Sequence, residues 1–389
     1  MWIDRHSEIL VRRMAEQFPA VLITGVRQAG KTSLLRHLYP AISYLSLDLP
    51  TNAEAANTEP VRLLEQYPEP VIIDEIQYAP SLLRHLKYRI DRQKTPGQYF
   101  LTGSQVFELM QGVSESLAGR CAILNLHTLS LAELLDSSQA MEETAYIFRG
   151  GYPELYLGTE EALWFPSYVA TYLERDVRNI LRVVDLQDFN RFIRACALRS
   201  SQILNYSDLA RDTGIAPNTA RKRPSHLQTS AVVVLIEPYY GNRTKRLIKA
   251  PKLVFTDTGL AAFLSGFRSE AELFASYLAG AFWESHVFGQ IIRHVASQGR
   301  SMPIHYWRTA NGQEVDLVVD QAGGTVVAIE CKWKEHPDIA DAAGLRALAE
   351  TEESRVKKKY IVCRTKATYK LSDGTWVVSL RELLKQLKT

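Results

Sequence analysis

The sequence predicts an α/β protein with a parallel sheet in its N-terminal part. Residues 1 to about 130 alternate between apolar, strand-like runs and segments whose apolar residues follow helical spacing, a pattern typical of parallel sheets. The run P-V-I-I-D-E at 70–75 is continuously apolar before its two acids, which suits a strand buried on both faces. A strand-rich pattern returns after residue 300, so we expect the 389 residues to form several domains.

A phosphate-binding loop is predicted at residues 25–32, which match the pattern G-x-x-x-x-G-K-[ST] between a strand-like run and a helix-like run. The two glycines let the backbone curl around a phosphate, and the helix N-terminus adds partial positive charge. We expect Lys31 to reach the β- and γ-phosphates and the Thr32 hydroxyl to hold Mg²⁺. A glycine-containing turn with a solvated lysine is the alternative, which the flanking strand and helix disfavour. The predicted nucleotide-binding set of this loop is Gly25, Arg27, Gln28, Gly30, Lys31, Thr32 and Ser33.

Two carboxylates follow the second apolar strand, at the sheet edge where open α/β sheets bind ligands. Asp74 is predicted to hold Mg²⁺, directly or through water, and Glu75 to polarise the attacking water as general base. The alternative is a solvated acidic pair at a strand end. A water-activating glutamate favours an ATPase over a kinase, which transfers the phosphoryl group without such a residue.

Two further polar residues are candidates for the same site. Ser104 follows the strand-like run 98–102 and is predicted to sense the γ-phosphate, although polar residues end most strands. Arg120 precedes the strand-like run 121–124, and we expect it to act as a catalytic finger on the nucleotide of a neighbouring subunit. This would make a second copy of the chain a partner. The alternative for Arg120 is a solvated surface charge.

Composition indicates a globular protein of a reducing compartment. The four cysteines are scattered without C-x-x-C spacing, which argues against structural zinc or a disulfide framework and favours the cytoplasm. No apolar run approaches the roughly 18 residues of a transmembrane helix, and the N-terminus lacks the apolar core of a signal peptide. The net charge of +3 is too small to establish DNA or RNA as a partner, so only local basic clusters such as 221–223 point that way.

The middle of the chain changes character twice. Residues 131–200 read as helical, and residues 201–264 suggest a small helix-turn-helix or winged unit with a basic helix from residue 218. Pro224 is expected to kink or end that helix after about two turns, which favours a packing module over DNA contact. We therefore expect domain boundaries at 1–130, 131–200, 201–264 and 265–389.

The C-terminal domain carries a second set of candidate residues. A hairpin that turns near residue 323 would bring Asp316 opposite Glu330, and period-two alternation places Lys332 on the same face as Glu330. Two carboxylates could hold Mg²⁺ there while the lysine positions water or stabilises a phosphate. Glu284, on a helix-like segment, is a candidate third carboxylate. The alternative is an ordinary hairpin with a surface ion pair.

These motifs together resemble a prokaryotic AAA+ ATPase family. The resemblance rests on G-x-R-Q-x-G-K-[ST], I-I-D-E-I-Q, T-G-S, S-L-A-G-R, G-G-Y-P-E, Y-L-E-R-D-V and the segment 249–260, and it covers nearly the whole chain. It implies an AAA+ P-loop NTPase sheet, a helical lid, a winged-helix-like middle and a C-terminal domain similar to PD-(D/E)xK nucleases. It also implies ATP and Mg²⁺ as cofactors, and assigns Asp316, Glu330, Lys332 and the helical acid Glu284 to the nuclease-type core.

Three functions are compatible with these residues. The first is an Mg²⁺-dependent ATPase coupled to a nuclease-like domain that acts on or binds nucleic acid. The second is an ATP-switched module that binds DNA or protein without cutting. The third is a small-molecule kinase, which Glu75 and the lack of an obvious substrate lid disfavour. The presence of Asp316, Glu330 and Lys332 together favours the first.

Overall fold

A computed structural model describes residues 2–103, 112–113, 115–173, 186–240 and 250–387. In this part of the chain, none of the helices combines the length and the apolar character that crossing a bilayer requires. Of the features predicted above, Ser104, residues 174–177 of the Y-L-E-R-D-V motif and the first residue of segment 249–260 lie outside the described residues.

The N-terminal part is the predicted parallel sheet, with five strands in the order β2-β3-β4-β1-β5. Every neighbouring pair is parallel, and strands β1, β3 and β4 are buried along their whole length, as the apolar runs predict. The strands are β1 (Ala20–Thr24), β2 (Ser43–Ser46), β3 (Val71–Asp74), β4 (Tyr99–Thr102) and β5 (Cys121–Asn125). Around them lie the helices α1 (Glu8–Gln17), α2 (Lys31–Leu38), α3 (Pro50–Thr58), α4 (Pro60–Gln66) and α5 (Leu82–Arg92), with a 3₁₀ turn at Ile76–Tyr78.

The next region is helical, as predicted. Its helices are α6 (Leu131–Leu135), α7 (Glu143–Arg149), α8 (Glu161–Tyr168) and α9 (Leu186–Ala197), with a 3₁₀ turn at Pro153–Tyr156 and a π-helical turn at Val169–Leu173. Aromatic rings fill its interior, where Tyr152 packs against both Trp164 and Tyr168. The G-G-Y-P-E motif therefore contributes a buried tyrosine to this core.

A three-stranded antiparallel sheet and two helices form the middle region. The elements are β6 (Gln202–Ile203), α10 (Tyr206–Thr213), α11 (Pro217–Thr229), β7 (Val233–Ile236) and β8 (Lys252–Phe255), with sheet order β6-β8-β7. The expectation that Pro224 ends or kinks the basic helix after two turns is wrong in its first part, because α11 continues through it to Thr229. Pro224, Arg223 and Leu227 are buried. Packing of this face offsets the lost backbone hydrogen bond.

The C-terminal part is a mixed six-stranded sheet in the order β13-β14-β12-β11-β10-β9. Its strands are β9 (Ile304–Arg308), β10 (Glu314–Asp320), β11 (Val326–Cys331), β12 (Val356–Val362), β13 (Tyr369–Lys370) and β14 (Trp376–Val378). The helices are α12 (Thr258–Ser265), α13 (Glu270–Ala275), α14 (Ala279–Ser297), α15 (Ala343–Thr351) and α16 (Leu380–Gln386), with short 3₁₀ turns at Ala322–Gly324 and Ile339–Ala342. The hairpin of β10 and β11 turns at the predicted glycines.

One apolar core joins the helical, middle and C-terminal regions. It includes Tyr152, Phe192, Phe255, Trp283 and Leu317, one or more from each region. The parallel sheet has separate cores on its two faces. The three later regions are thus packed around a common interior, and the parallel sheet is attached to them at one side.

Candidate functional site

The loop at residues 25–30 has a conformation that only glycine allows at its two ends. Gly25 has φ of +134°, and a Cβ there would lie 2.1 Å from the carbonyl oxygen of Leu126. Gly30, with φ of +89°, immediately precedes α2. The first glycine lets the loop pass close to β5, and the second lets it turn into the helix. Because the first N–H groups of a helix lack intrahelical acceptors, a helix start of this kind is suited to an anion.

Lys31 lies inside this loop. Its side chain is buried, and Nζ donates hydrogen bonds to the carbonyl oxygens of Gly25 at 3.1 Å and Val26 at 3.0 Å. A buried ammonium held by loop carbonyls is placed at the centre of the curl that the glycines create. Its charge is thus available to an anion bound in that curl.

The carboxylate of Asp74, at the end of β3, accepts hydrogen bonds from three hydroxyl groups. Thr32 Oγ1 donates to Asp74 Oδ1 at 2.6 Å, and Tyr44 OH donates to Oδ2 at 2.8 Å. Thr102 Oγ1 also donates to Oδ1. Burial and the Asp74 carboxylate raise the pKa of Tyr44 to about 12, so its hydroxyl stays a donor. The structure thus brings Thr32 and Asp74 together as predicted, and the oxygens of both are hard ligands that suit Mg²⁺.

Glu75 has a left-handed backbone, with φ of 57° and ψ of 52°. Its N–H donates to Thr102 Oγ1 at 3.0 Å, and Gln77 Nε2 donates to its side-chain Oε2. Such a conformation costs about 1–3 kcal/mol in a non-glycine residue and is retained where its surroundings fix it, often at functional sites. Thr102 therefore orients both acids of the predicted pair.

Tyr44 and Thr102 are site residues that the sequence motifs do not identify. Each lies on a strand next to β3, so their contact with Asp74 depends on the strand order β2-β3-β4. The T-G-S motif contains Thr102 but draws attention to Ser104, which lies outside the described residues. Of the other predicted loop residues, Gln28 and Ser33 are exposed, and Gln28 has a positive φ of 63°. Arg27 is partly buried.

Arg120 lies at the opposite end of the strands from the phosphate loop. Its carbonyl accepts a hydrogen bond from the N–H of Ala20 at the start of β1, whereas the phosphate loop follows the end of that strand. Its guanidinium makes two bonds to the Asp91 carboxylate, at 2.5 and 3.1 Å. Arg120 is therefore remote from the nucleotide loop of its own chain, and a finger role requires a second copy.

A buried arginine near the N-terminus supports the phosphate loop. Arg5 Nη1 donates to the carbonyl of Ala29 at 2.9 Å, and Nη2 donates to the carbonyl of His127 at 2.7 Å. Its Nε pairs with Glu133 at 3.1 Å. Burial, followed by the charges of Arg293 and Arg5, lowers the pKa of His127 to about 3 and keeps that ring neutral. No sequence motif marks Arg5, because its partners are far away along the chain.

Two motifs of the resemblance meet beside this loop. A Cβ at Gly30 would lie 3.9 Å from Pro153, so G-G-Y-P-E borders the phosphate loop. Asp257 Oδ2 accepts a hydrogen bond from the N–H of Gly151 at 2.8 Å, and a Cβ at Gly150 would lie 2.1 Å from Asp257 Oδ1. The glycines thus allow close approach of the segment around Asp257. Together the two motifs join the helical region to the middle region.

The C-terminal candidates converge as the hairpin predicts. Leu317 pairs with Ile329, and the same register extended by one residue places Asp316 opposite Glu330. Asp316 Oδ2 accepts a hydrogen bond from the N–H of Cys331 at 2.7 Å, and Lys332 Nζ lies 2.7 Å from Glu330 Oε1. Burial, with the nearby Asp316 charge, raises the pKa of Glu330 to about 8.

A buried lysine enters the same cluster from the middle region. Lys252 Nζ lies 2.8 Å from both Glu284 Oε1 and Glu314 Oε1, and 3.7 Å from Asp316 Oδ1. These carboxylates raise the pKa of Lys252 against the lowering effect of its burial, so it stays charged. Sequence reasoning missed this residue, although a lysine that begins the otherwise apolar, fully buried strand β8 was a signal for it.

In the described part of the chain, Glu284, Asp316 and Glu330 are not among the groups whose ligand atoms all lie within 4.8 Å of one another. Among the described residues, the group whose three ligand atoms all lie within 4.8 Å of one another is Asp4, Glu8 and His37, near the N-terminus. In the structure Glu284 is paired with Lys252, and its role as a third metal ligand stays a prediction. Binding of a divalent ion by Asp316 and Glu330 stays a prediction.

Helix α14 connects the carboxylate cluster of the C-terminal part with the region of the N-terminal parallel sheet. Besides Glu284, it carries Gln290, whose Oε1 accepts from the N–H of Leu131 at 3.0 Å. Arg293 Nε donates to the carbonyl of Thr128 at 3.1 Å, and its Nη2 donates to the carbonyl of Thr256 at 2.8 Å. One helix thus contacts the region after β5, the middle region and the C-terminal cluster.

Comparison with known families gives matches to three consecutive parts of the chain. Residues 17–135 match the family described as AAA domain, which is consistent with an ATP-binding P-loop sheet. Residues 142–271 and 279–383 match two domains of unknown function, DUF8612 and DUF4143. The AAA match and the geometry of Lys31, Thr32 and Asp74 together support a P-loop ATPase; the nuclease likeness of the C-terminal domain receives no such support.

Two mycobacterial proteins are similar to nearly the whole chain. They are the uncharacterized proteins Rv2008c of Mycobacterium tuberculosis and Mb2031c of Mycobacterium bovis, each 30% identical over 340 residues. The matched region is 86% of this chain and 75% of each relative.

Solved structures resemble the chain more distantly. The Walker-type ATPase PABY2304 of Pyrococcus abyssi has a TM-score of 0.45 at 17% identity, with 68% of this chain and 96% of that chain covered. AMPPCP-bound DnaA from Aquifex aeolicus has a TM-score of 0.30 at 11% identity, with 57% of this chain and 87% of that chain covered.

Proposed function

The chain belongs to the same family as these two mycobacterial proteins, and on that premise we propose that it is an Mg²⁺-dependent ATPase whose C-terminal domain acts on nucleic acid. The observation that supports the first part best is the hydrogen bond of 2.6 Å between Thr32 and Asp74, next to the buried Lys31. This bond supports a role for the two oxygens as Mg²⁺ ligands beside a loop shaped for phosphate.

The residues divide the chemistry of hydrolysis among them. The loop N–H groups and Lys31 bind the β- and γ-phosphates, and Lys31 neutralises charge that moves to the leaving group. Thr32 and Asp74 would hold Mg²⁺, which when bound supplies further positive charge to the phosphates. Glu75 accepts a proton from the attacking water as general base. Thr102 fixes the backbone of Glu75 and the carboxylate of Asp74, so that both acids keep one orientation.

The C-terminal proposal has a different support. Asp316, Glu330 and Lys332 lie on one face of a hairpin, which is the arrangement needed for two oxygen ligands and a cation beside a phosphodiester. We infer that this domain cleaves nucleic acid in a reaction gated by the ATPase. The second candidate, an ATP-switched module that binds DNA or protein without cutting, is favoured by one observation: Lys252 already neutralises part of the cluster.

The test is to incubate the purified protein with plasmid and with single-stranded DNA, with and without ATP, in Mg²⁺ and in Mn²⁺. Phosphate release and DNA products are measured in the same tubes. ATP hydrolysis with ATP-dependent cleavage supports the proposal. Hydrolysis together with DNA retention but no cleavage supports the second candidate, and no hydrolysis under any condition rejects the ATPase assignment.

A further inference from the structure

The carboxylate cluster of the C-terminal domain already contains a positive charge that belongs to another region. Lys252, on β8, is 1% exposed, and its Nζ lies 2.8 Å from Glu284 and from Glu314. Asp316 is the third neighbour, at 3.7 Å. An ammonium has three donors, so one lysine can serve all three of these acids at once.

The position of this lysine is fixed by backbone contacts between the middle and C-terminal sheets. The N–H of Tyr239 donates to the carbonyl of Tyr306 at 2.5 Å, and the N–H of Tyr306 donates to the carbonyl of Glu237 at 3.3 Å. The Tyr306 hydroxyl donates to the carbonyl of Ala250 at 2.7 Å, and its ring lies 5.6 Å from Lys252 Nζ. These contacts hold the start of β8, and with it the Lys252 ammonium, beside the carboxylates.

A buried carboxylate needs a counter-charge, and two kinds of cation can supply it. A site that uses two metal ions would place a second divalent ion among acids such as Glu284 and Glu314. Here an ammonium lies at hydrogen-bonding distance from both of them. Mg²⁺ demands close octahedral oxygen contacts and keeps several waters, and the ammonium occupies the room that these would need.

The other end of the cluster has a different character. Glu330 is only 8% exposed, and its Oε1 is paired with Lys332. Its Oε2 is buried without a hydrogen-bond partner among the residues that the structure describes. A buried carboxylate oxygen left in this state indicates a missing ligand, and Asp316 lies opposite it in the hairpin register.

We propose that the Lys252 ammonium occupies the place of a second cation in this cluster, so that it holds Glu284 and Glu314 and leaves Asp316 and Glu330 for a single divalent ion. The inference rests on the proposed function only in treating Asp316 and Glu330 as ligands of a divalent ion. It also means that the C-terminal site is completed by the middle region and is not contained in residues 265–389 alone.

The test counts Mn²⁺ ions in the full chain without nucleotide. Wild type, Lys252→Met, Lys252→Arg and Asp316→Asn are titrated with Mn²⁺ and followed by electron paramagnetic resonance, and their Tm values are measured with Mn²⁺ and with EDTA. Methionine keeps the length of the side chain and removes its charge, whereas arginine keeps the charge.

The expected result is one more Mn²⁺ per chain in Lys252→Met than in wild type, or binding tighter by about 10-fold or more, the scale of a changed neighbour of a metal site. The Tm of Lys252→Met should fall in EDTA and recover in Mn²⁺, and Lys252→Arg should bind Mn²⁺ as wild type does. No gain in Mn²⁺ binding and no recovery of Tm by Mn²⁺ would overturn the inference.

A second variant covers the case in which Lys252→Met does not fold. The double variant Lys252→Met, Glu284→Gln removes both charges of the pair. If the single variant folds only when Mn²⁺ is present, the inference is supported. If the single variant fails to fold with or without Mn²⁺, the lysine is a structural partner only and the inference is overturned; folding of the double variant would then identify the unpaired Glu284 charge as the cause.

The same titration separates this inference from the proposed function. If wild type binds Mn²⁺ and Asp316→Asn does not, the proposed nuclease-type site is supported. If Lys252→Met binds more Mn²⁺ than wild type, the inference about Lys252 is supported. Absence of the first together with presence of the second would reject the divalent site at Asp316 and Glu330, and would keep only the part of the inference in which Lys252 takes the place of a cation at Glu284 and Glu314.

Discussion

Replacement of Glu75 by glutamine tests the assignment of the general base. The substitution keeps the length of the side chain and an oxygen that can accept the hydrogen bond from Gln77 Nε2. The left-handed backbone and the bond from the Glu75 N–H to Thr102 do not depend on the charge. Only the basicity of the group is lost. A general base contributes about 10²–10⁴-fold to a rate, which corresponds to roughly 3–5 kcal/mol of activation free energy.

We therefore expect Glu75→Gln to bind ATP as wild type does and to hydrolyse it at least about 10²-fold more slowly. Binding is measured with a fluorescent ATP analogue and hydrolysis by phosphate release in single-turnover experiments, which separate chemistry from product release. Gln77→Ala is the matched control, because it removes the partner of the carboxylate and leaves the base. A wild-type rate in Glu75→Gln, with Tm unchanged, would refute the assignment.

The other predictions concern the remaining groups of the two sites. Lys31→Ala should abolish hydrolysis and weaken ATP binding in the same assays, since it removes the buried charge of the loop; unchanged binding would contradict the role of the loop. If Arg120 exchanges Asp91 for the nucleotide of a second copy, specific activity should rise with protein concentration, and a mixture of Arg120→Ala with Lys31→Ala should regain some activity. No rescue between two folded, associating variants would count against that finger. Asp316→Ala and Lys332→Ala should each abolish DNA cleavage on gels while phosphate release continues, and cleavage by either variant at the wild-type rate would remove it from the proposed centre.

The nucleotide loop could be predicted because its chemistry is local in sequence. The loop lies within the consecutive residues 25–32, which include Gly25, Gly30, Lys31 and Thr32. The strand before them fixes where the loop must lie. The Asp316–Glu330 pairing was also predictable, since one tight turn determines the register of a hairpin. In both cases the relevant contacts are set by a few consecutive residues.

The contacts that were missed depend on which elements become neighbours. Tyr44 reaches Asp74 only because β2 lies beside β3, and Lys252 reaches Glu284 only because helix α14 packs against β8. The expectation for Pro224 failed for a related reason. A helix rule describes an isolated segment, whereas burial of Pro224 and Leu227 stabilises α11 beyond the point where the rule ends it.

The contacts of helix α14 limit how the molecule can move during an ATP cycle. To rotate the C-terminal part away from the nucleotide domain, Arg293 would have to leave the carbonyls of Thr128 and Thr256, and Gln290 would have to leave Leu131. Each hydrogen bond from the guanidinium contributes about 1.5–3 kcal/mol, and the same rotation would separate Arg293 from the Asp257 carboxylate, which lies 3.7 Å away. A wide hinge at this boundary is therefore costly. Nucleotide-dependent displacement should instead pass along α14 as a small shift of the whole helix, which carries Glu284 at its other end.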